Sequence, residues 1–478
     1  MKVINGTEIA KHRTRESCWL VIYNKVYDVT DFLDSHPGGA SVLLRAAGRD
    51  ATADYEEVHN PELIAETLPP SSVLGVVEPG TLGTEKVEEK QSNATGNKNG
   101  LYPPLGSMIN VDDFEEVAKK YLSPTGWAYY SSAADDEYSK QENRRIFRKL
   151  QLRPRVLRNV ESVDTSTSIL GYHSSLPIYV SPAGLGKYAH PLAECALAAG
   201  AGKEGLIQCV PTSPSMSLEA IYGARVSREQ PIFQQLYVNK DRSKATALIK
   251  RALSLGARAL FITVDSPVLG KRERDDRVKG EATTGALPKA PPTASRSQPG
   301  VAKAASSGLL NPALTWDDLD WIREVSKGLP LVLKGIQTVE DAIMAYQAGV
   351  EGIVLSNHGG RSQDTAQAPM LCLLEIRRHA PWLIGSRMQI FVDGGIRRGT
   401  DIFKALALGA TAVGLGRPFL YSLTGGYGED GFRRMVEILR NELQSNMALA
   451  GASSIKEIVP EMVNTKRLEL EVFDRPKL

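Results

Sequence analysis

Gln389-Ile390-Phe391-Val392-Asp393-Gly394-Gly395-Ile396-Arg397-Arg398-Gly399 is the stretch whose reading decides the fold, and Ala412-Val413-Gly414-Leu415-Gly416-Arg417-Pro418 repeats its logic. Each is a short apolar run that closes in glycines and an arginine. Glycine lets backbone N–H groups come close to an anion, and Arg397 and Arg417 supply charge, so each turn reads as part of a phosphate cradle. A helical pattern over 399–408 separates the two runs. Working outward, the same unit recurs. Short runs start near Pro177, Gly205, Pro231, Ala259, Leu331, Gly352, Gln389 and Ala412, with helical patterns such as 241–255 and 338–348 between most of them. Eight such units predict parallel strands closed into a (β/α)8 TIM barrel. A doubly wound open sheet is the rival, but no Gly-x-Gly-x-x-Gly follows the first run.

The run ends carry chemistry. They present Gln235 and Tyr237, Thr263 and Asp265, Lys334, Ser356 and His358, Asp393 and Arg417. In a closed barrel these edges make one ring around one pocket, and phosphate sites after strands seven and eight are habitual there.

The barrel does not account for the whole chain. At 478 residues, two or three domains are the prior. Residues 1–78 form a compact block rich in turn signals; 79–105 is polar and reads as a flexible linker; 106–478 holds the barrel. A second stretch of that character, 279–307, lies inside the barrel region and reads as a functional or disordered loop. A hydrophobic share of 42% with 23% charged residues is ordinary for a globular chain, and a net charge of +2 gives no reason to expect nucleic acid. No apolar run is long enough for a membrane span. Cys18, Cys195, Cys209 and Cys372 form no Cys-x-x-Cys pair, so they read as small buried thiols rather than a zinc site or a covalent haem attachment. The N-terminus carries neither a signal peptide nor a transit-peptide face. The compartment stays open between cytosol and, if a presequence is removed, mitochondrial intermembrane space. Peroxisome stands behind both, since Pro476-Lys477-Leu478 only loosely matches that address.

The N-terminal block places Tyr27-Asp28-Val29-Thr30-Asp31-Phe32 ahead of His36-Pro37-Gly38-Gly39, with His59 following in Val58-His59-Asn60-Pro61. Two histidines on separate short helices can reach an iron from opposite faces of a haem, with Pro37 and the glycines holding His36 at a helix end. This signature, with Cys18-Trp19-Leu20-Val21-Ile22 and Gly48-Arg49-Asp50-Ala51-Thr52, resembles the cytochrome b5 family over about residues 4–77. The resemblance implies an α+β cytochrome b5-like domain binding haem b through His36 and His59. With both axial positions filled, that iron carries electrons rather than oxygen.

In the barrel region, Ser356-Asn357-His358-Gly359-Gly360-Arg361, the two glycine turns, Tyr129-Tyr130, Gln235-Leu236-Tyr237, Thr263-Val264-Asp265, Gly270-Lys271-Arg272 and Lys334-Gly335 resemble the FMN-dependent 2-hydroxy acid dehydrogenase and oxidase family, from about residue 110 to 459. The resemblance implies residue roles. His358 takes a proton from the substrate, at C2 or at the hydroxyl. Asp265 stabilises the protonated imidazole, Arg361 grips the substrate carboxylate with help from Tyr129, Tyr237 contacts the hydroxyl, and Arg272 helps hold substrate or flavin. Around FMN it implies Lys334 beside N1 and O2, Gln235 and Thr263 on the ring, and Ser181, Pro182 and Ala183 along it. Ser356, Asp393, Gly394, Gly395, Arg397, Gly416 and Arg417 complete the cofactor set. The sequence departs from the family where Pro211 replaces a usual serine and where Gly184 and Ser213 are small. A bulkier acid such as L-mandelate therefore stands beside L-lactate as substrate.

A haem domain, linker and flavin barrel in that order resembles the flavocytochrome members of this family, which implies L-2-hydroxy acid oxidation through haem to cytochrome c, and a homotetramer. The rivals are an oxidase passing electrons to O2, a non-catalytic haem or flavin sensor, and a phosphate-binding barrel without flavin.

Overall fold

The computed structural model describes residues 1–36, 39–82, 102–284 and 309–474. The turn at Pro37 and Gly38, most of the linker, the greater part of the 279–307 stretch and the C-terminal Pro476-Lys477-Leu478 lie outside the described residues.

The N-terminal domain is a four-stranded sheet with helices on it. Its spatial order is Val3–Ile4, Val73–Val77, Lys25–Asp28, Trp19–Ile22; the first pair is parallel and the others antiparallel. Tyr23 and Asn24 both have positive φ (51° and 66°), the two-residue turn whose twist suits a tight hairpin. Alternation sorts the strands by face: Leu20 and Ile22 join Tyr27 and Leu33 in one cluster, while Val21 turns to Ile4, Ile9 and Val26 in another. Helices Ala40–Ala46 and Thr52–Val58 flank the first cluster. The histidines flank these helices rather than riding on them. His36 lies in the turn before Ala40–Ala46, and His59 caps the C-terminus of Thr52–Val58.

All eight expected barrel strands are present and all pair in parallel: Ile178–Val180, Ile207–Val210, Ile232–Leu236, Leu260–Thr263, Leu331–Ile336, Gly352–Leu355, Gln389–Asp393 and Ala412–Leu415. The eighth pairs with the first and closes the ring. Tyr179, Phe233, Phe261, Val332, Val354, Phe391 and Ala412 point inward and fill the bore. Phe261 sits between Phe233 and Phe391, with ring centroids 5.4 and 6.2 Å away. Burying each such side chain stabilises the fold by roughly 1.5–3 kcal/mol. A hairpin, Thr167–Ile169 with Tyr172–Ser174, packs Ile169 onto this plug from the N-terminal end, where Leu170 N donates to Gln389 Oε1 at 2.8 Å.

This plug positions the site. Side chains on a strand repeat every second residue. Two residues beyond each inward plug residue therefore come Ser181, Gln235, Thr263, Lys334, Ser356 and Asp393, all at the C-terminal mouth. Outside, the long helix Gly428–Ala450 buries Phe432, Met435, Val436, Leu439, Leu443 and Met447, a stripe with helical spacing.

Candidate active site

At the C-terminal mouth, one continuous cavity of about 1610 Å³ runs between the barrel and the N-terminal domain. It is lined by Tyr129, Ser181, Pro182, Ala183, Gln235, Tyr237, Thr263, Arg272, Lys334, His358, Arg361, Asp393, Gly394, Gly395, Arg397, Gly416 and Arg417, and, across from them, by His36 and His59. Of the expected site residues, Asp265 and Ser356 alone do not line it. They are buried behind it and hold others in place.

His358 opens a short turn after the sixth strand with φ +59°, a left-handed conformation costly for a non-glycine. Three contacts set it. Its N–H donates to Ser356 Oγ at 3.0 Å, Nδ1 lies 2.9 Å from Asp265 Oδ1, and Nε2 lies 3.3 Å from Tyr237 Oη. Asp265 accepts from Nδ1, which leaves the lone pair on Nε2, facing Tyr237. The Asp265 side chain is fully inaccessible. Burial favours its neutral form, but the His358 imidazole and the Lys334 ammonium hold the carboxyl below the usual carboxylate range. Burial, then Asp265, pushes the Tyr237 phenol up to about 12.

Lys334 Nζ reaches Asp393 Oδ2 and Ser356 Oγ, both at 3.1 Å. Burial works against its charge; Asp393 and Asp265 outweigh burial and raise its pKa above the ordinary lysine value. Gly335 follows with φ +116°, and a Cβ there would lie 2.5 Å from Asp265 Cβ. Glycine lets the fourth and fifth strand ends meet.

Arg361 stacks over Tyr129 at 5.0 Å, and its Nη1 donates to Tyr129 O at 2.6 Å and Ser132 O at 3.1 Å. Desolvation in the cavity wall, then neighbouring Arg272, pushes its pKa down to about 9. The two guanidiniums crowd positive charge that a carboxylate would relieve. Arg272 Nε is buried without a hydrogen-bond partner among the described residues.

Some expected residues are partnered within the protein. Gln235 Nε2 donates to Thr263 Oγ1 at 3.0 Å, and Gln235 Oε1 accepts from Thr212 N at 2.8 Å. Arg417 donates to the carbonyls of Tyr130, Gly359 and Ser132 at 2.8, 3.0 and 3.0 Å, bracing two segments against each other with part of its five-donor fork. Arg397 pairs with Glu115 at 3.3 Å. Ser356, expected among the cofactor residues, sits beneath the cavity with its hydroxyl engaged by Lys334 Nζ and His358 N.

Other residues of the site were not singled out from the sequence. Thr212 Oγ1 accepts from Tyr237 N at 2.8 Å and so sets the backbone of that tyrosine. Asn143 and Asn357 exchange amide bonds at 2.7 and 2.8 Å and anchor the His358 turn to helix Tyr138–Lys149. Glu194, wholly buried, accepts from Gly186 N and Ser215 N and ties the loops after the first and second strands together.

Residues 118–465 match the family model for FMN-dependent dehydrogenase, and residues 5–78 match that for the cytochrome b5-like haem/steroid binding domain. The chain belongs to the FMN-dependent dehydrogenases. It is 40% identical over 467 residues to "L-lactate dehydrogenase (cytochrome)" of Wickerhamomyces anomalus, covering 96% of this chain and 79% of that one. The protein of that name from Saccharomyces cerevisiae is 41% identical over 488 residues, covering 99% and 81%. A solved leucine-to-alanine mutant of flavocytochrome b2 with benzoylformate superposes with TM-score 0.71 at 39% identity, covering 80% of this chain and 95% of that one.

This dehydrogenase takes FMN in its barrel and haem in its N-terminal domain, and the residues present fit both. Along the barrel mouth, Ser181 Oγ, Asp393 Oδ1 and Arg397 Nε are buried without hydrogen-bond partners among the described residues. A Cβ on Gly395 would sit 1.9 Å from Asn143 O, so the glycine turn admits no side chain there. In the N-terminal domain the His36 and His59 rings lie edge to face with centroids 5.9 Å apart, so the two imidazoles stand together on one side of the cavity, where they would ligate a haem iron. His36 Nδ1 lies 3.3 Å from Gly39 O, the kind of bond that fixes a metal-binding tautomer. Burial, then His36, pushes His59 down to about 4, keeping it in the neutral, ligating form.

Proposed function

We propose that this chain oxidises L-lactate to pyruvate and delivers the electrons through its haem domain to cytochrome c. The observation that carries the reading is the Asp265–His358–Tyr237 chain opening on Arg361. FMN supplies a two-electron acceptor and haem b a one-electron carrier, so one substrate, losing two protons and two electrons, serves two cytochromes. Lys334, Ser181, Gln235, Thr263, the glycine turns, Arg397 and Arg417 are the residues that would hold FMN; His36 and His59 would ligate the haem iron. Arg361 binds the substrate carboxylate, with the Tyr129 ring beneath its guanidinium. Tyr237 hydrogen-bonds the hydroxyl. His358 Nε2 receives the proton, and Asp265 stabilises the imidazolium that results.

A specific observation favours a second, bulkier acid. Gly184 and Ser213 both line the cavity, and a Cβ on Gly184 would press to 2.7 Å on Ser213 O. Small residues let these loops close while leaving the wall low, and benzoylformate, the 2-oxo acid of mandelate, is what the mutant flavocytochrome b2 was solved with. L-Mandelate is that alternative. We divide the chain at 1–78 and 106–478, which agrees with the cytochrome and dehydrogenase matches at 5–78 and 118–465. A homotetramer is part of this reading; the apolar side chains Val156, Leu157 and Leu449, 81, 102 and 72% exposed, flank the bond from Arg155 N to Ala450 O and are what such an assembly could cover.

The test is anaerobic spectroscopy of the holoenzyme. Adding L-lactate should bleach the flavin band and then sharpen the reduced haem bands, and cytochrome c should be reduced in turnover. Peroxide release in air without haem reduction would instead make the chain an oxidase.

A further inference from the structure

Two cations of the barrel reach across to the N-terminal domain. Lys187 Nζ donates to the carbonyls of Glu56 at 3.0 Å and His59 at 3.2 Å. His59 is the expected iron ligand, and Lys187 lies in the short helix Gly186–Tyr188 just beyond Ser181–Gly184. That helix is held firmly: Gly186 N donates to Glu194 Oε1 at 3.1 Å and Lys187 N to Ser215 Oγ at 3.2 Å. One lysine therefore joins the loop along the flavin site to the turn that carries His59. Some distance along the same seam, Arg251 on helix Arg242–Leu255 is forked between domains. It pairs with Glu219 of the barrel, and with Glu66 at 3.0 Å and Glu62 at 3.5 Å on the N-terminal domain.

We propose that Lys187 and Arg251 are positioning residues for electron passage, together forming a salt-sensitive seat that holds the haem domain over the flavin mouth. The proposal rests on the reading of the chain as a flavin-to-haem dehydrogenase. The two residues divide the work. Lys187 sets the approach of the His59 turn through charge-assisted bonds to backbone, which hold their geometry whatever the domain's side chains do. Arg251 contributes attraction at the rim. Its acidic partners are 51–62% exposed, so salt screens it, and docking can be undone without unfolding either domain.

The test uses full-length holoenzyme in anaerobic stopped flow, following flavin bleaching and haem reduction separately. Lys187→Met should leave flavin reduction by L-lactate unchanged and slow haem reduction by at least about tenfold, since both of its charge-assisted hydrogen bonds to the haem domain are lost. Arg251→Gln should slow haem reduction less, and should flatten the decline of that rate which the wild type shows between roughly 20 and 500 mM salt. Lys187→Arg, which keeps the charge, should recover much of the rate. Unchanged haem reduction in both variants, or a wild-type rate indifferent to salt, would overturn the seat. Slowed flavin reduction in Lys187→Met would place that residue in the substrate site instead. Wild-type flavin that L-lactate or L-mandelate fails to bleach would be a failure of the functional reading itself, seen before any variant is made.

Discussion

Asp265→Asn tests the proton side of the site most directly. The carboxylate is inaccessible, 2.9 Å from His358 Nδ1, and has no competing solvent. When His358 takes a proton, a new positive charge forms beside it. At an effective dielectric of about 20, opposite charges some 4 Å apart attract by about 4 kcal/mol. An amide keeps part of that as a dipole, so the loss is about 2–4 kcal/mol, or roughly 30- to 1000-fold in the proton-transfer step. Substrate affinity should hardly move, because Arg361 and Tyr129 are untouched and Ser266 Oγ, 3.2 Å from Nδ1, still orients the ring. Anaerobic stopped flow with varied L-lactate separates the limiting rate from the dissociation constant. A limiting rate within about threefold of wild type, or a loss confined to affinity, would refute the pairing as the source of basicity. Stability gives an independent reading. A depressed carboxyl pKa adds stability that is complete above the unfolded-state value and disappears as pH falls through the folded-state value. Asp265→Asn should therefore flatten the acid limb of a Tm-against-pH curve and leave the alkaline limb alone.

Three further perturbations follow from the same geometry. Arg361→Lys should weaken substrate capture by about tenfold or more, since a point charge cannot both hold the Tyr129 carbonyl and fork onto a carboxylate; steady-state KM and flavin reduction read this, and unchanged values would put the carboxylate elsewhere. Ser213→Leu should raise the lactate-to-mandelate ratio of kcat/KM, packing differences of this size being worth about 1–3 kcal/mol; a fixed ratio would remove Ser213 from the pocket. Gly395→Ala should destabilise by roughly 2–5 kcal/mol and shed flavin, because its Cβ meets Asn143 backbone 1.9 Å away at φ +84°; urea unfolding and the flavin content of purified protein measure both.

What could be read from the sequence follows the range of the interactions. The eight strands were legible because β-branched and aromatic runs with turn residues at their ends are local signals, and the period of two then names the inward side chain. Which side a residue faces was thus available; how deep it lies was not. Asp265 and Ser356 face inward like Lys334 and His358, but loop packing places them behind these residues, out of the cavity. Contacts between distant segments were out of reach. Asn143 and Asn357 meet across 214 positions, and Asp364 caps the start of helix Tyr138–Lys149 by accepting from Ser139 N across 225. Faint signals existed. Asn143 shares a helical stripe with Ile146 and Phe147, where an amide must find a partner. Glu194 is the one acid at the head of Ala193–Lys203, a helix otherwise of small apolar residues up to its final lysine. An isolated polar group in an apolar run is a prompt to ask what it holds.

The charges of the site fall into two groups whose imbalance is opposite. On the inner wall Asp265 and Asp393 face the single ammonium of Lys334, so the group is one negative charge in excess while His358 is neutral. On the outer wall Arg361 and Arg272 stand together, and desolvation, then Arg272, pushes the Arg361 pKa down to about 9 against the opposing pull of Tyr129 and Asp275. A 2-hydroxy acid answers each wall with a different part of itself. On the proposed reading its carboxylate would correct the outer excess on binding, and its proton would correct the inner excess only when His358 receives it. The first correction belongs to affinity and the second to the barrier, because only the second changes between bound substrate and transition state. It follows that changes at Arg361 and Asp265 should partition between KM and kcat. A carboxylate placed between Arg361 and Arg272 by mutation should mimic bound substrate electrostatically and block the site without touching His358.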